Sequence, residues 1–305
     1  MKDHWNNYCK LSIVHFMIFP EIFLGEGPML ETVTRLAEDP FFGAVEIGVI
    51  KDADVRAKVR SILETSHTDV SFGAQPALLI NKLNINSLDE ANRLKAVNAL
   101  KDSVDEASEL GAKRMAFLSG KDPGEKDRPR AFDALVKSTR EVCAYAKKNN
   151  IAIALETFDR AVDKKCLMGP SDYSAKFVKV IREDFPDFGL LYDLSHMPLL
   201  SEQPETSLLP LKDYLVHIHV GNCVTEPDAP SYGDLHPRFG WPGGANDVPE
   251  LAAFLRMLLK IGYLDDSKAV KPWIGFEVKP QTSEETSELV IANTKRVWQD
   301  AWAMV

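Results

Sequence analysis

The stretch Tyr-Leu-Val-His-Ile-His-Val-Gly, residues 214–221, sets two histidines on alternate positions of a β-branched run. Side chains two apart on a strand point to one face, so His217 and His219 are neighbours where a buried strand ordinarily carries Val or Ile. Either they are hydrogen-bonded core histidines, or one of them ligates a metal. Seven more short apolar runs recur along the chain: LSIVHFMIF (11–19), AVEIGVI (44–50), DVSFGAQ (69–75), RMAFLSG (114–120), IAIALETF (151–158), FGLLYDLSH (188–196) and PWIGFEVK (272–279). Amphipathic segments lie between them. Residues 87–111 open on Ser87 as N-cap with Glu90 completing a capping box, and stop at Gly111. Residues 130–150 read as one helix with a basic last turn. Residues 247–262 carry Pro249 in the first turn and Gly262 at the end. A last helix from about Ser283 is expected to dock Trp298 and Trp302 on the outside of the sheet.

Strand and helix alternating eight times in 305 residues predict a closed (β/α)8 TIM barrel, α/β in class, forming one domain over residues 1–305. An open doubly wound sheet would carry a glycine-rich phosphate loop after its first strand, and FPEIFLGEG (19–27) lacks that spacing.

The bulk properties narrow the partners. A formal charge of −9 argues against a generic nucleic-acid binder, which needs Lys and Arg against phosphates. Cys9, Cys143, Cys166 and Cys223 are scattered without a Cys-x-x-Cys pair, the pattern of free thiols in a reducing compartment. No apolar run approaches the roughly 18 residues of a membrane span. The opening MKDHWNNYCK has no signal-peptide apolar core. The expectation is a cytoplasmic protein with no membrane partner.

Active sites of such barrels lie at the C-terminal strand ends. Here the fifth run ends in Glu156, the sixth in Asp193 and His196, the seventh in His219 and the eighth in Glu277. A carboxylate directly behind buried apolar residues is costly unless it is paired or holds a metal. Strand parity puts Glu156 on the face of Ala152 and Ala154, Glu277 on that of Gly275, and His219 one pair above His217. Two Glu, one Asp and one His make a hard, oxygen-rich set. It suits one divalent cation, Mn2+ first, with Mg2+, Co2+ or Zn2+ as alternatives.

The motifs ALETFDR (154–160), YDLSHM (192–197), HIHVGN (217–222) and FEVK (276–279) resemble those of the xylose-isomerase-like barrels. That superfamily includes ketose 3-epimerases, hydroxypyruvate isomerases, inosose dehydratases and apurinic endonucleases. The resemblance implies Glu156, Asp193, His219 and Glu277 as metal ligands, with His217 a supporting interior histidine. It implies a sugar isomerase or epimerase in which Glu156 and Glu277 exchange a proton through an enediolate. His196 is similar to a position that contacts substrate oxygens, and Arg160 is read as holding a hydroxyl or an acidic substituent. The long loop 222–247 offers Asp234, His236 and Trp241 as lid groups over a sugar. In the preceding loop Lys164 and Lys165 offer an anion grip, Lys165 being the residue assigned to substrate.

Two departures qualify the substrate class. Ketose 3-epimerases place an Arg six residues after the metal-binding His, where this chain has Thr225. Asp234-x-His236 resembles the Asp-x-His with which apurinic endonucleases bind a further zinc, yet the third and fourth strand ends carry Gln75 and Ser119 where that cluster needs His. Alternatives are therefore a dehydratase or lyase on a keto-polyol or keto-glycoside, expelling a β-substituent from the same enolate, and an apurinic endonuclease. A non-catalytic sugar- or metal-binding barrel is the reading outside enzymology. A small carbohydrate is the expected partner, and a homodimer or homotetramer the expected assembly.

Overall fold

In the computed structural model, which describes residues 3–305, every one of the eight apolar runs contains a parallel strand. Met1 and Lys2, the first residues of the stretch read as lacking a signal core, lie outside the described residues. The strands are β1 (Lys10–Val14), β2 (Ala44–Ile47), β3 (Asp69–Gly73), β4 (Arg114–Leu118), β5 (Ala152–Glu156), β6 (Gly189–Asp193), β7 (Leu215–Gly221) and β8 (Trp273–Glu277). Each pairs with its neighbour in sequence order, and β8 closes on β1, so the expected TIM barrel is formed.

Both faces of the strands are buried, which is why they read as near-continuous apolar runs. The outward face packs under the helices as the main core, with Trp298 edge-on to Phe276 at 5.5 Å and stacked on Trp302 at 5.7 Å. The last helix docks as expected. The inward face is different: its apolar part is a small separate cluster of Ala116, Ala154 and Leu191. Buried polar groups, among them Ser12, Glu46, Glu156, Asp193, His217 and His219, take up much of the rest. Register then sets their height, with Asp193 and Gly275 both level with His219.

Helix starts differ slightly from the sequence reading. The helix Glu90–Glu109 is capped by Asp89, whose carboxylate accepts from Asn92 N at 2.8 Å, while Ser87 Oγ accepts from Asp89 N at 3.2 Å. Aspartate is as good a cap as serine, and here the one nearer the helix is used. The final helix is Ser287–Ala303, capped by Thr286, a turn later than expected. The helix of residues 130–150 is Arg128–Lys148, and Val248–Lys260 is followed by Gly262 in the left-handed region. All four cysteines are free and buried. Among the described residues, no helix is long and apolar enough to cross a membrane.

Candidate metal centre

Glu156, Asp193, His219 and Glu277 converge at the C-terminal mouth of the barrel, each offering a ligand atom within 4.8 Å of the others. All four are buried. His219 Nδ1 lies 2.8 Å from Glu277 Oε2 and 3.6 Å from Glu156 Oε1. Asp193 accepts from Ser195 N through Oδ1 at 2.7 Å. Its Oδ2 and Glu156 Oε1 are buried without a hydrogen-bond partner. Orphaned carboxylate oxygens in a dry site are expensive, and a divalent cation would satisfy both at once. The donor set therefore fits a metal.

A second carboxylate layer lies beneath, and sequence reasoning missed it. Glu46 on β2 is buried inside the barrel, where Oε2 accepts from His219 Nε2 at 2.9 Å. Its Oε1 accepts from Ser12 Oγ at 2.7 Å and from His217 Nε2 at 3.1 Å. Burial works to raise the Glu46 carboxyl, but the His217 and His219 imidazoles outweigh it and hold it well below its usual range. Burial likewise opposes charge on His219, which Glu46 together with Glu156 and Glu277 nonetheless pushes well above the ordinary histidine range. His217, dominated by burial, is held below it. The carboxylates thus demand positive charge at His219, the demand a metal ion would meet while displacing the proton. His217 is the hydrogen-bonded interior histidine of the sequence reading.

Glu46 has room because Gly275 has no side chain. A Cβ there would come within 2.0 Å of Glu46 Oε1 and 2.9 Å of both His219 Cδ2 and Ser12 Oγ. Just beyond the neighbouring strand β3, Gln75, at the start of the helix Gln75–Ile80, donates from Nε2 to Glu156 Oε2 at 2.6 Å. It occupies the third-strand position where a three-metal cluster would need an imidazole. At the fourth, Ser119 Oγ accepts from Met168 N at 2.9 Å.

Asp234 and His236 reach the same cavity. Asp234 is buried between His236 Nε2 at 2.9 Å, His196 Nε2 at 3.1 Å and Lys164 Nζ at 3.0 Å. Burial opposes its charge, but His196, His236 and Lys164 hold it well below the usual range. Against burial, Asp234 and Asp193 push His196 up to about 10, and Asp234 and Glu277 push His236 up to about 9. Asp193, His196 and His236 form a further group of potential ligands.

Four other predicted contacts lie away from the cavity wall. His196 stands behind Asp234, with Nδ1 2.7 Å from Thr157 O and its ring against Phe158 at 4.3 Å. Arg160 turns outward, donating to Leu167 O at 2.6 Å and stacking over Tyr173 at 4.9 Å. Trp241 lies under Arg238 at 5.7 Å. Lys165 is exposed, and its neighbour Lys164 lines the cavity instead. The carboxylate of Asp159 decides between the two lysines. It accepts from the backbone of Val162, Asp163 and Lys164 at 2.6–2.9 Å, winding the loop so that Lys164 faces inward.

Comparison with curated proteins finds no match. Among solved structures, one described as a D-tagatose 3-epimerase-like protein superposes with a TM-score of 0.71 at 15% identity, covering 97% of this chain and 98% of that one. The IolI protein with a bound zinc atom gives 0.72 at 17% identity, over 96% and 97%. The 3-keto-D-glucoside 4-epimerase YcjR from E. coli gives 0.65 at 15% identity, over 95% and 99%. At such identities the likeness is one of fold. Residues 41–295 match the family described as xylose isomerase-like TIM barrel, and with most of its length inside that match, the chain belongs to this family.

Proposed function

We propose that this protein is a divalent-metal-dependent isomerase or epimerase of a sugar or sugar derivative. The observation that carries the reading is one buried group of Glu156, Asp193, His219 and Glu277, with two of its oxygens unpartnered and Glu156, His219 and Glu277 lining one cavity. When bound, the metal supplies Lewis acidity towards a carbonyl and its neighbouring hydroxyl, with Mn2+, Co2+, Mg2+ or Zn2+ all compatible with three carboxylates and one imidazole. The chain's own residues do the rest. Glu156 ends β5 and Glu277 ends β8, three strands round the barrel, so the two carboxylates enter the cavity from different walls. One takes the proton from the carbon beside the carbonyl; the other returns a proton to the opposite face or to the adjacent atom. Gln75 fixes the Glu156 carboxylate from behind.

The test is metal analysis of the purified protein, together with solvent-deuterium incorporation into a panel of ketoses by the wild type and by Glu156→Gln and Glu277→Gln. Incorporation lost in both variants supports the two-carboxylate reading, and full turnover in both refutes it. Loss of a hydroxyl or an aglycone from the substrate in place of deuterium return would move the assignment to elimination.

A further inference from the structure

The end of the barrel opposite the metal ligands holds a cavity of about 470 Å3. It is bounded by Asp69 at the start of β3, Arg114 at the start of β4 and Trp273 at the start of β8. The last turns of the helices Ala53–Ser66 and Glu90–Glu109 lie along its outer side.

Arg114 is the unusual residue here. Strand parity puts it on the inward face, two residues below Ala116. Its side chain crosses the base of the barrel, where Nη1 donates to Val216 O on β7 at 2.7 Å. Among the described residues, Nε and Nη2 have no hydrogen-bond partner and no carboxylate forms an ion pair with the guanidinium. The group is nonetheless largely withdrawn from water, and burial presses its titration down. A guanidinium does not escape such a place by losing its proton. A charge withdrawn from water is normally paired, and this one is not.

The acids around the cavity are already taken. Glu64 is held by Arg60 Nε at 2.7 Å, and Asp69 by Lys10. Helix carbonyl ends attract cations, but those nearby are engaged by backbone amides: Leu63 O and Glu64 O accept from Thr68 N and His67 N, and Ala107 O accepts from Ala112 N. Lys113 adds an exposed ammonium beside Arg114, likewise without an ion pair among the described residues. Trp273 closes one side, its ring edge-on to His217 at 5.8 Å.

We propose that this cavity is an oxyanion site, in which a phosphate or carboxylate group pairs with Arg114 and Lys113 stands at its edge. Nε and Nη2 of one guanidinium present two parallel N–H groups, the fork that two oxygens of such an anion match. The site lies at the far end of the barrel from the reacting groups, so its occupant is an effector anion, not a substrate. It stands whatever reaction the metal centre performs.

Calorimetry of the full chain with inorganic phosphate and with succinate, at constant ionic strength, tests the proposal. One anion should bind per chain, saturably. Arg114→Met keeps the stem and removes the fork, and should weaken binding at least about tenfold. That variant also strips Val216 O of its donor, so the exposed Lys113→Gln gives a second reading, a loss of about three- to fivefold with the fold untouched. The bound anion should raise the melting temperature of the wild type and not of Arg114→Met, a difference that a merely structural arginine would not produce. Metal content should be the same in all three proteins. Tighter binding of one anion than of the other identifies the headgroup the site prefers. Binding that both variants leave unchanged puts the anion elsewhere, on the metal centre included, and overturns the proposal. Absence of saturable binding by either anion overturns it as well.

Discussion

His219 Nε2 donates to Glu46 Oε2 at 2.9 Å, joining β7 to β2 across the inside of the barrel. This bond consumes one imidazole nitrogen and leaves Nδ1 turned to Glu156 and Glu277. A carboxylate behind a metal-binding histidine fixes the tautomer and raises the ligand's basicity. Glu46→Gln keeps the shape but removes the charge, and the amide has to accept from both histidines through one oxygen. Metal affinity, followed by competition with a chromophoric chelator, should fall about 10- to 100-fold with the fold retained. Unchanged affinity would show that Glu46 serves packing alone.

Gly275 tests the same arrangement from the other side. A methyl group there overlaps Glu46 Oε1, so Gly275→Ala has to push the carboxylate off His219 or push β8 off β1. Chemical denaturation should show a loss of about 1–3 kcal/mol, the usual cost of overfilling a packed interior. Metal affinity should fall along with it. A variant as stable and as metal-avid as the wild type would mean that the Glu46 side chain has another resting place.

These two residues also mark where sequence reading ran short. The barrel was legible because parallel strands buried on both faces must be short apolar runs, and there were eight. Glu156, Asp193, His219 and Glu277 were legible because each is polar at the end of such a run, where the fold puts its mouth. Glu46 sits inside AVEIGVI, and its histidine partners lie 171 and 173 residues further on, so no local spacing announces it. The available signal was a single charge among residues that all had to be buried. Lys164 and Lys165 could not be separated by sequence, since their orientation depends on three backbone amides folding onto Asp159. Arg160 looked poised for a ligand, yet the Tyr173 ring and the Leu167 carbonyl offer it a nearer partnership.

Arg93 should be the most sensitive charged residue outside the mouth. Its side chain is only 2% exposed and joins the helices Glu90–Glu109 and Arg128–Lys148. It donates to Glu90 and Glu141 at 2.8 Å and to Ser138 Oγ at 2.9 Å, and Ser138 Oγ in turn donates to Ile85 O at 2.8 Å. Arg93→Met keeps much of the stem's packing and removes the charge-assisted bonds. Because Glu90 and Glu141 keep access to water, the loss should be about 2 kcal/mol, below that for a fully enclosed pair. Urea titration measures it, and a change within experimental scatter would show these bonds to be exchanged for water without cost.

His15 gives the fold a pH dependence of its own. It is fully buried, with Nε2 2.8 Å from Thr32 Oγ1 and Nδ1 without a partner, and burial lowers its titration to about 3. In the unfolded chain the imidazole titrates near its ordinary value of about 6.5. Between those values the unfolded state binds a proton that the folded state refuses. Stability therefore rises with pH across this window, is complete above it, and is lost as pH falls from about 6.5 towards about 3, by up to about 1.4 kcal/mol per pH unit. His15→Leu removes the group, while Thr32 Oγ1 keeps its bond to Pro28 O at 2.9 Å. Denaturation free energies measured at several pH values should then fall less steeply below pH 6.5 in the variant than in the wild type. Parallel slopes would show that protonated His15 finds a partner in the folded barrel.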